Sequence, residues 1–249
     1  MSLKRRNRLA TVSEFAKIRD AVVQADNALL PEAQRIYTNS AVVSSRLTRF
    51  NGIASEVLHP PLWDASGYRC DDAEGYIFCG GRISPGKRQH LLVEAMRHVR
   101  TNTRLIVAGS PDLPEHLDQL ETLVRKHDLA DRVTILGRWI SEEEKHDLFA
   151  RSLACAYIPY DEDSYGYVTL ESFHSRKPVI TCDDSGGVLE LVEDDATGRV
   201  VPPDPTALAE AIDELAGDRP RTRRLGEAGH DRLVAAEITW DKVVGSLLA

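Results

Sequence analysis

From Gly75 onward, short apolar runs alternate with stretches whose apolar residues recur every three or four positions. "YIFC" is followed by 87–99, "RLIVAG" by 114–127, "VTILG" by 141–151, "LACAYIP" by 168–176, "PVITC" by 186–193 and "GRVV" by 205–217. The runs are rich in Val, Ile and Ala, as strands buried on both faces are, and the intervening stretches carry helical periodicity. Such alternation predicts an α/β domain with a doubly wound parallel sheet and flanking helices. "ITWDKVVGSLLA" predicts a closing helix.

The first part of the chain follows another pattern. Residues 3–34 predict a helix, with Leu9, Val12, Phe15, Ile18 and Val22 at helical steps. "RIYTNS" predicts a short strand running into a cap at Ser40, "AVVSSRLTRF" a helix stopped by Asn51-Gly52, and "SEVLHPPLW" a strand closed by Pro60-Pro61. Two helices and two short strands with no sheet to join do not make a domain. The predicted division is therefore 1–65 as an N-terminal helical extension, 66–237 as the α/β domain, and 238–249 as a terminal helix.

Composition narrows the function. Hydrophobic residues make up 42% and charged residues 28% of 249, an ordinary globular balance. A net charge of −8 argues against a general nucleic-acid partner, despite the local "KRRNR". Cys70, Cys79, Cys155 and Cys182 form no C-x-x-C pair, and three of them lie in or beside apolar runs, as buried reduced thiols of the cytosol do. No apolar run approaches the ~20 residues that span a bilayer.

Ligands of parallel α/β sheets bind beyond the carboxyl ends of the strands, so candidate chemistry is sought there. "GGRISPGK" fits all but the last position of the phosphate loop G-x-x-x-x-G-K-[ST]. The residue after the lysine must offer a hydroxyl to Mg²⁺, and Arg88 stands there instead. The dinucleotide pattern G-x-G-x-x-G follows no strand either, which argues against an epimerase or oxidoreductase. What remains is a cation pair, Arg82 and Lys87, placed either to clamp a diphosphate or as solvated charges of a turn. "YDEDSYGYVTLES" runs from an acidic loop through Gly166 into a helix bearing Glu171. That carboxylate could accept two vicinal hydroxyls, or simply complement the helix dipole. In "TCDDSGGVLELV", Gly186 and Gly187 could bring N–H groups to a phosphate, or Asp184 or Ser185 could merely cap a helix. In "VTILGRWISEEE", Ser141 and Glu144 form a capping box, and Arg138–Ile140 either lines a flat base or packs as loop. Asp204-Pro205 is a structural helix start.

In order along the chain, these segments resemble the C-terminal, donor-binding half of the family 4 retaining glycosyltransferases of the GT-B fold, from about Gly75 to about Leu248. "YTNSAVVSSRLTRFNGIASEVLHPPL" resembles the segment leading into that half. The resemblance implies a Rossmann-like domain that binds a UDP- or GDP-sugar and transfers a hexose to an acceptor hydroxyl with retention. It implies no metal and no other cofactor. Arg82 and Lys87 would hold the diphosphate, and Glu171 would bind the ribose as the second glutamate of the E-x7-E motif. The first acid would be Asp163, eight places earlier, or Glu162 if one residue is inserted. Backbone around Gly166, Tyr167, Val168 and Thr169, with Gly186 and Gly187, would line the sugar and phosphate, and Arg138 and Trp139 would border the base.

A whole GT-B enzyme also carries an N-terminal α/β domain with the acceptor site, for a glycan or lipid-linked sugar. Only about 65 residues precede the donor domain here, so the resemblance implies a truncated transferase, inactive alone. The alternative is a non-catalytic nucleotide-sugar module or one subunit of a split transferase. The full enzyme would be cytoplasmic or peripheral at the inner membrane.

Overall fold

The computed structural model describes residues 13–249. The predicted helix start at 3–12, with all of its basic cluster, lies outside them. The described residues up to His59 form one compact unit, and Pro60–Ala249 form a second.

In the first unit, helix α1 (Ser13–Leu29) ends in a single 3-10 turn at Leu30–Glu32, where Pro31 cannot continue the helical hydrogen bonding. Strand β1 (Tyr37–Thr38) leads to helix α2 (Ala41–Asn51), and strand β2 (Glu56–Val57) follows. Ser40 caps α2 as expected, its hydroxyl accepting the Val43 N–H at 3.1 Å. The two strands do have a sheet to join. They pair with each other in parallel, Tyr37 beside Glu56 and Thr38 beside Val57.

In the second unit, strands β3 (Tyr76–Gly80), β4 (Arg104–Ala108), β5 (Val133–Leu136), β6 (Ala154–Ala156), β7 (Val179–Cys182) and β8 (Gly198–Val201) form one sheet of order β5-β4-β3-β6-β7-β8, parallel throughout. The helices between them are α3 (Gln89–Ala95), α4 (Pro114–Lys126), α5 (Glu142–Arg151), α6 (Tyr167–His174) and α7 (Pro205–Gly217), then α8 (Arg219–Ala235) and α9 (Trp240–Leu248). Alternate residues of β3 serve opposite faces. Ile77 and Cys79 join Leu92, Met96, Leu105 and Ile212, while Tyr76 and Phe78 join Phe149 and Cys155. Burial on both faces explains why β3 is uniformly apolar, all five of its residues being buried. It also pushes the Cys79 and Cys182 thiols up to about 12 and the Cys155 thiol up to about 11, so all three are held as neutral thiols.

One predicted helix is absent. Residues 186–193 form only a 3-10 turn, Gly187–Glu190. The two glycines at its start are conscripted by a tertiary contact described below.

The strand order reverses between β3 and β6, and a crevice opens at that point beyond their carboxyl ends. The segment leaving β3 is fixed there by Arg88, which is 9% exposed and left-handed at φ 55°. Its Nε donates to Ile158 O at 2.8 Å and an Nη to Pro159 O at 2.9 Å, beyond β6. The guanidinium also grips both oxygens of Asp184, beyond β7, at 2.8 and 2.6 Å. The residue that denies the chain a Mg²⁺ hydroxyl is thus the fastener of three strand ends. Removing one partner of such a pair costs about 3–5 kcal/mol. Arg88→Ala is expected to lower the melting temperature of the second unit by about 6–15 °C, read by circular dichroism. A change within 2 °C, on the order of less than 1 kcal/mol, would show that the pair is dispensable.

Candidate functional site

The crevice holds a cavity of about 330 Å³, a size suited to a small-molecule ligand. Gly80, Gly81 and Arg82 line it from β3, Ser110 and Pro111 from β4, Trp139 and Ile140 from β5, and Val168 and Glu171 from α6. Its walls are largely apolar, through Phe78, Ala108, Ile140 and Phe149. Trp139 lies on the wall with its side chain 78% exposed, so it is not packed as an ordinary loop residue. Arg138, paired with it in the sequence reading, instead forms a bidentate ion pair with Glu144 at 2.9 and 2.7 Å. This also undoes the predicted capping box. Ser141 does accept the Glu144 N–H at 3.1 Å, but the Glu144 carboxylate is committed to Arg138. That pairing holds the Glu144 carboxyl below the usual carboxylate range.

Glu171 is 7% exposed and sits on the inner face of α6. Its Oε1 accepts the Tyr68 hydroxyl at 2.8 Å and faces Lys145 Nζ at 2.8 Å. Lys145 also reaches Glu142 Oε2 at 2.8 Å. Burial weighs against the Lys145 ammonium, but the hydrogen bonds to Glu142 and Glu171 outweigh it and raise its pKa.

Arg82 and Lys87 differ in setting. Arg82 is exposed and pairs with Asp112 at 3.3 Å. Lys87 is half-buried, donates to the Tyr157 hydroxyl at 2.7 Å and forms an ion pair with Glu162. Burial first, then the charge and hydrogen bond of Glu162, push the Tyr157 phenol upward, and the Arg82 charge opposes them. Both cations therefore act on the same phenol. The acid that lies on Lys87 is Glu162, whereas Asp163 is exposed.

The glycine loops prove more structural than their motifs suggest. Gly166 starts α6 at φ 71°, and a Cβ there would stand 2.2 Å from the Tyr157 ring. The position thus needs glycine both for its backbone and for Tyr157 to reach Lys87. Tyr167 is exposed and Val168 lines the cavity, but Thr169 is fully buried, its hydroxyl donating to Tyr165 O at 2.6 Å. The Thr169 side chain ties the helix start together and does not face a ligand. Gly186 and Gly187 let the acidic loop lie directly against them. A Cβ would meet Glu162 O at 2.4 Å from Gly186 and the Ser164 carbonyl carbon at 2.7 Å from Gly187. The Gly187 N–H donates to Glu162 O at 2.9 Å, so it is occupied by the protein's own backbone. These glycines position Glu162 and do not cradle a phosphate with that N–H.

Tyr68, Lys145 and Tyr157 were not singled out from sequence. Lys145 stands three residues after Glu142 and has the look of a surface pair on an acidic helix. Its partner Glu171 is brought to it only by the fold. Among the described residues, no group of three or more His, Cys, Asp or Glu side chains is placed to hold a metal ion. No helix among them is long and apolar enough to cross a membrane.

A six-stranded parallel sheet with a carboxylate and two cations around the crevice at its switch point defines a ligand-binding α/β domain. Residues 67–232 match the model of the family Glycosyl transferases group 1, and the chain belongs to that family. It is 30% identical over 234 residues to the GDP-mannose-dependent alpha-(1-6)-phosphatidylinositol monomannoside mannosyltransferase of Mycobacterium tuberculosis, covering 85% of this chain and 58% of that protein. It is 29% identical over 244 residues to the D-inositol 3-phosphate glycosyltransferase of Nocardia farcinica, covering 88% of this chain and 52% of that one. The chain thus spans about half the length of these curated relatives. A crystal structure of Anabaena HepE in complex with UDP and glucose shares the fold at TM-score 0.79, with 20% identity over 92% of this chain and 66% of that one. The expected Rossmann-like half of a GT-B fold is therefore present.

Gly166→Ala is expected to destabilise the second unit by about 1–3 kcal/mol through a strained φ and a displaced Tyr157. Chemical denaturation measures it, and a midpoint equal to that of the unaltered chain would remove the steric argument.

Proposed function

We propose that this chain is the donor-binding half of a hexosyltransferase, taking a nucleoside diphosphate sugar in the crevice between β3 and β6. The observation that carries the reading is Glu171, a carboxylate buried in a largely apolar cavity and held by two donors. Such a group suits a vicinal diol such as the ribose edge. The base then lies between Ser110–Pro111 and Trp139–Ile140. The diphosphate extends toward Arg82 and Lys87, and backbone around Gly166–Val168 borders the sugar.

In transfer, the bond between the anomeric carbon and the diphosphate oxygen breaks while the acceptor oxygen bonds to the same face of the sugar. Negative charge grows on the departing diphosphate, and its freed oxygen takes the proton of the acceptor hydroxyl. Lys87 and Arg82 stabilise that charge in place of a metal ion, more strongly in the transition state than in the ground state. Lys87 is balanced by Glu162 before the donor arrives, so the diphosphate takes over a cation that is already in place. Released from Lys87, Glu162 can accept from the sugar hydroxyls, and we assign it, ahead of Asp163, the part of the first acid of the motif. The acceptor is contributed by a second α/β domain of the whole transferase.

UDP, GDP, UDP-glucose and GDP-mannose form the panel for thermal melting of the 249-residue chain. A ligand at a hundredfold its Kd adds about 2.7 kcal/mol, or a rise of about 5–10 °C. At least one member should give such a rise, and Lys87→Ala or Glu171→Ala should abolish it. A flat response across the panel, checked by calorimetry, would sink the donor-site reading.

A further inference from the structure

We propose that Lys145 and Tyr68 are positioning residues that make Glu171 selective for a ribose diol, both by meeting Oε1 and so fixing the rotation of its carboxylate. The inference rests on the donor-site reading above and goes beyond it. It assigns the selectivity for ribonucleotides to residues on two elements outside the α6 motif.

The geometry supplies the argument. A carboxylate as buried as Glu171 is costly to keep charged unless a cation and hydrogen-bond donors compensate it. Lys145 Nζ stands 2.8 Å from Oε1 and is anchored from its other side by Glu142, also at 2.8 Å. Glu142 lies on the same helix three residues earlier, so the ammonium is held between two carboxylates and does not swing into solvent. Only 23% of the Lys145 side chain is exposed, which limits screening of its charge by water.

Tyr68 comes from the opposite direction. It precedes β3, and its hydroxyl donates to the same oxygen at 2.8 Å. Its ring is wedged edge-on against His146 at 4.4 Å and Phe149 at 5.8 Å between centroids, so the hydroxyl has a fixed address. Both donors therefore meet at Oε1. With that oxygen pinned, the plane of the carboxylate is set, and Oε2 becomes the principal acceptor for a ligand in the cavity that Glu171 lines. A ribose presents two adjacent hydroxyls to such a group, and a deoxyribose presents one fewer. The supports at Oε1 come from the protein itself, so the selectivity is preorganised.

The test measures Kd by calorimetry for the preferred nucleoside diphosphate and for its 2′-deoxy and 3′-deoxy analogues. The proteins are the unaltered chain, Lys145→Met, Tyr68→Phe and Glu171→Gln. The unaltered chain should prefer the ribonucleotide by about tenfold or more, the worth of a hydrogen bond to a charged acceptor. Lys145→Met should weaken the ribonucleotide by about tenfold while changing the deoxy analogues little, so that the preference collapses toward that of Glu171→Gln. Tyr68→Phe keeps the ring packing and should reduce the preference by about threefold to tenfold. A purely structural role predicts something else: all ligands weaken in parallel and the ratio stays fixed. That result, or an unchanged ratio in both variants, overturns the inference while leaving the donor site intact. Absence of binding by the unaltered chain overturns the donor-site reading and this inference with it. Melting temperatures measured alongside separate lost folding from lost selectivity, and Tyr68→Phe provides the ratio even where Lys145→Met does not fold.

Discussion

The grip of Arg88 on Asp184 and on the carbonyls of Ile158 and Pro159 is the constraint on which the site depends. Parallel strands are joined laterally only along their length, and the loops beyond their carboxyl ends have no ladder to order them. Arg88 supplies that order. A single guanidinium with fixed fork geometry fastens the exit of β3 to the exits of β6 and β7, where the strand order reverses. Lys87 precedes it by one residue, so the position of the Lys87 ammonium follows from the anchoring of its neighbour. Asp184 precedes Gly186 and Gly187, whose lack of side chains lets the 161–164 segment lie against them and carries Glu162 to Lys87.

The same logic of balanced charge recurs across the crevice. Lys87 is matched by Glu162, Glu171 by Lys145, and Arg82 by Asp112. Each pair sets a cation beside a carboxylate at the rim or wall of the crevice. The pairs are not equivalent. Arg82–Asp112 is exposed and weak, so Arg82 can exchange this partner at little cost. Lys145–Glu171 is largely buried and lies between carboxylates that hold the lysine, so it resists displacement and acts as scaffold. Exposure thus separates the cations that can turn to a ligand from the one that must remain in place.

What was legible in the sequence was local. Asp204-Pro205 announces α7 because a cap and a first-turn proline are contiguous, and the helix spans Pro205–Gly217, the range expected from the sequence. The central strands were legible because burial on both faces leaves few polar positions, none in β3 or β6. The helix expected over 186–193 failed for a tertiary reason, since Gly186 and Gly187 serve the approach of another loop and leave only a four-residue 3-10 turn. Glu171 could be read as a carboxylate on a helix after a glycine. Lys145 could not be read in the same way, since its visible neighbour is Glu142 and its functional neighbour is supplied by the fold. Arg88 was equally opaque, with partners 70 to 96 positions further on.

These cases share a physical reason. A motif records which residue touches the ligand, because spacing along one turn or loop controls that contact. It does not record what holds the residue in place, because the holding groups arrive from other elements through packing. In this chain the residues that line the crevice lie on the segments after β3, β4, β5 and β6, and the holding set is Arg88, Lys145, Tyr68 and Tyr157. Each of the four is buried enough that its polar atoms must be satisfied by protein, and each uses them on a loop or a carboxylate of the site. A buried polar side chain of this sort is a better pointer to the geometry of the crevice than an exposed one. It can take only one arrangement, and the ligand-facing group must conform to it.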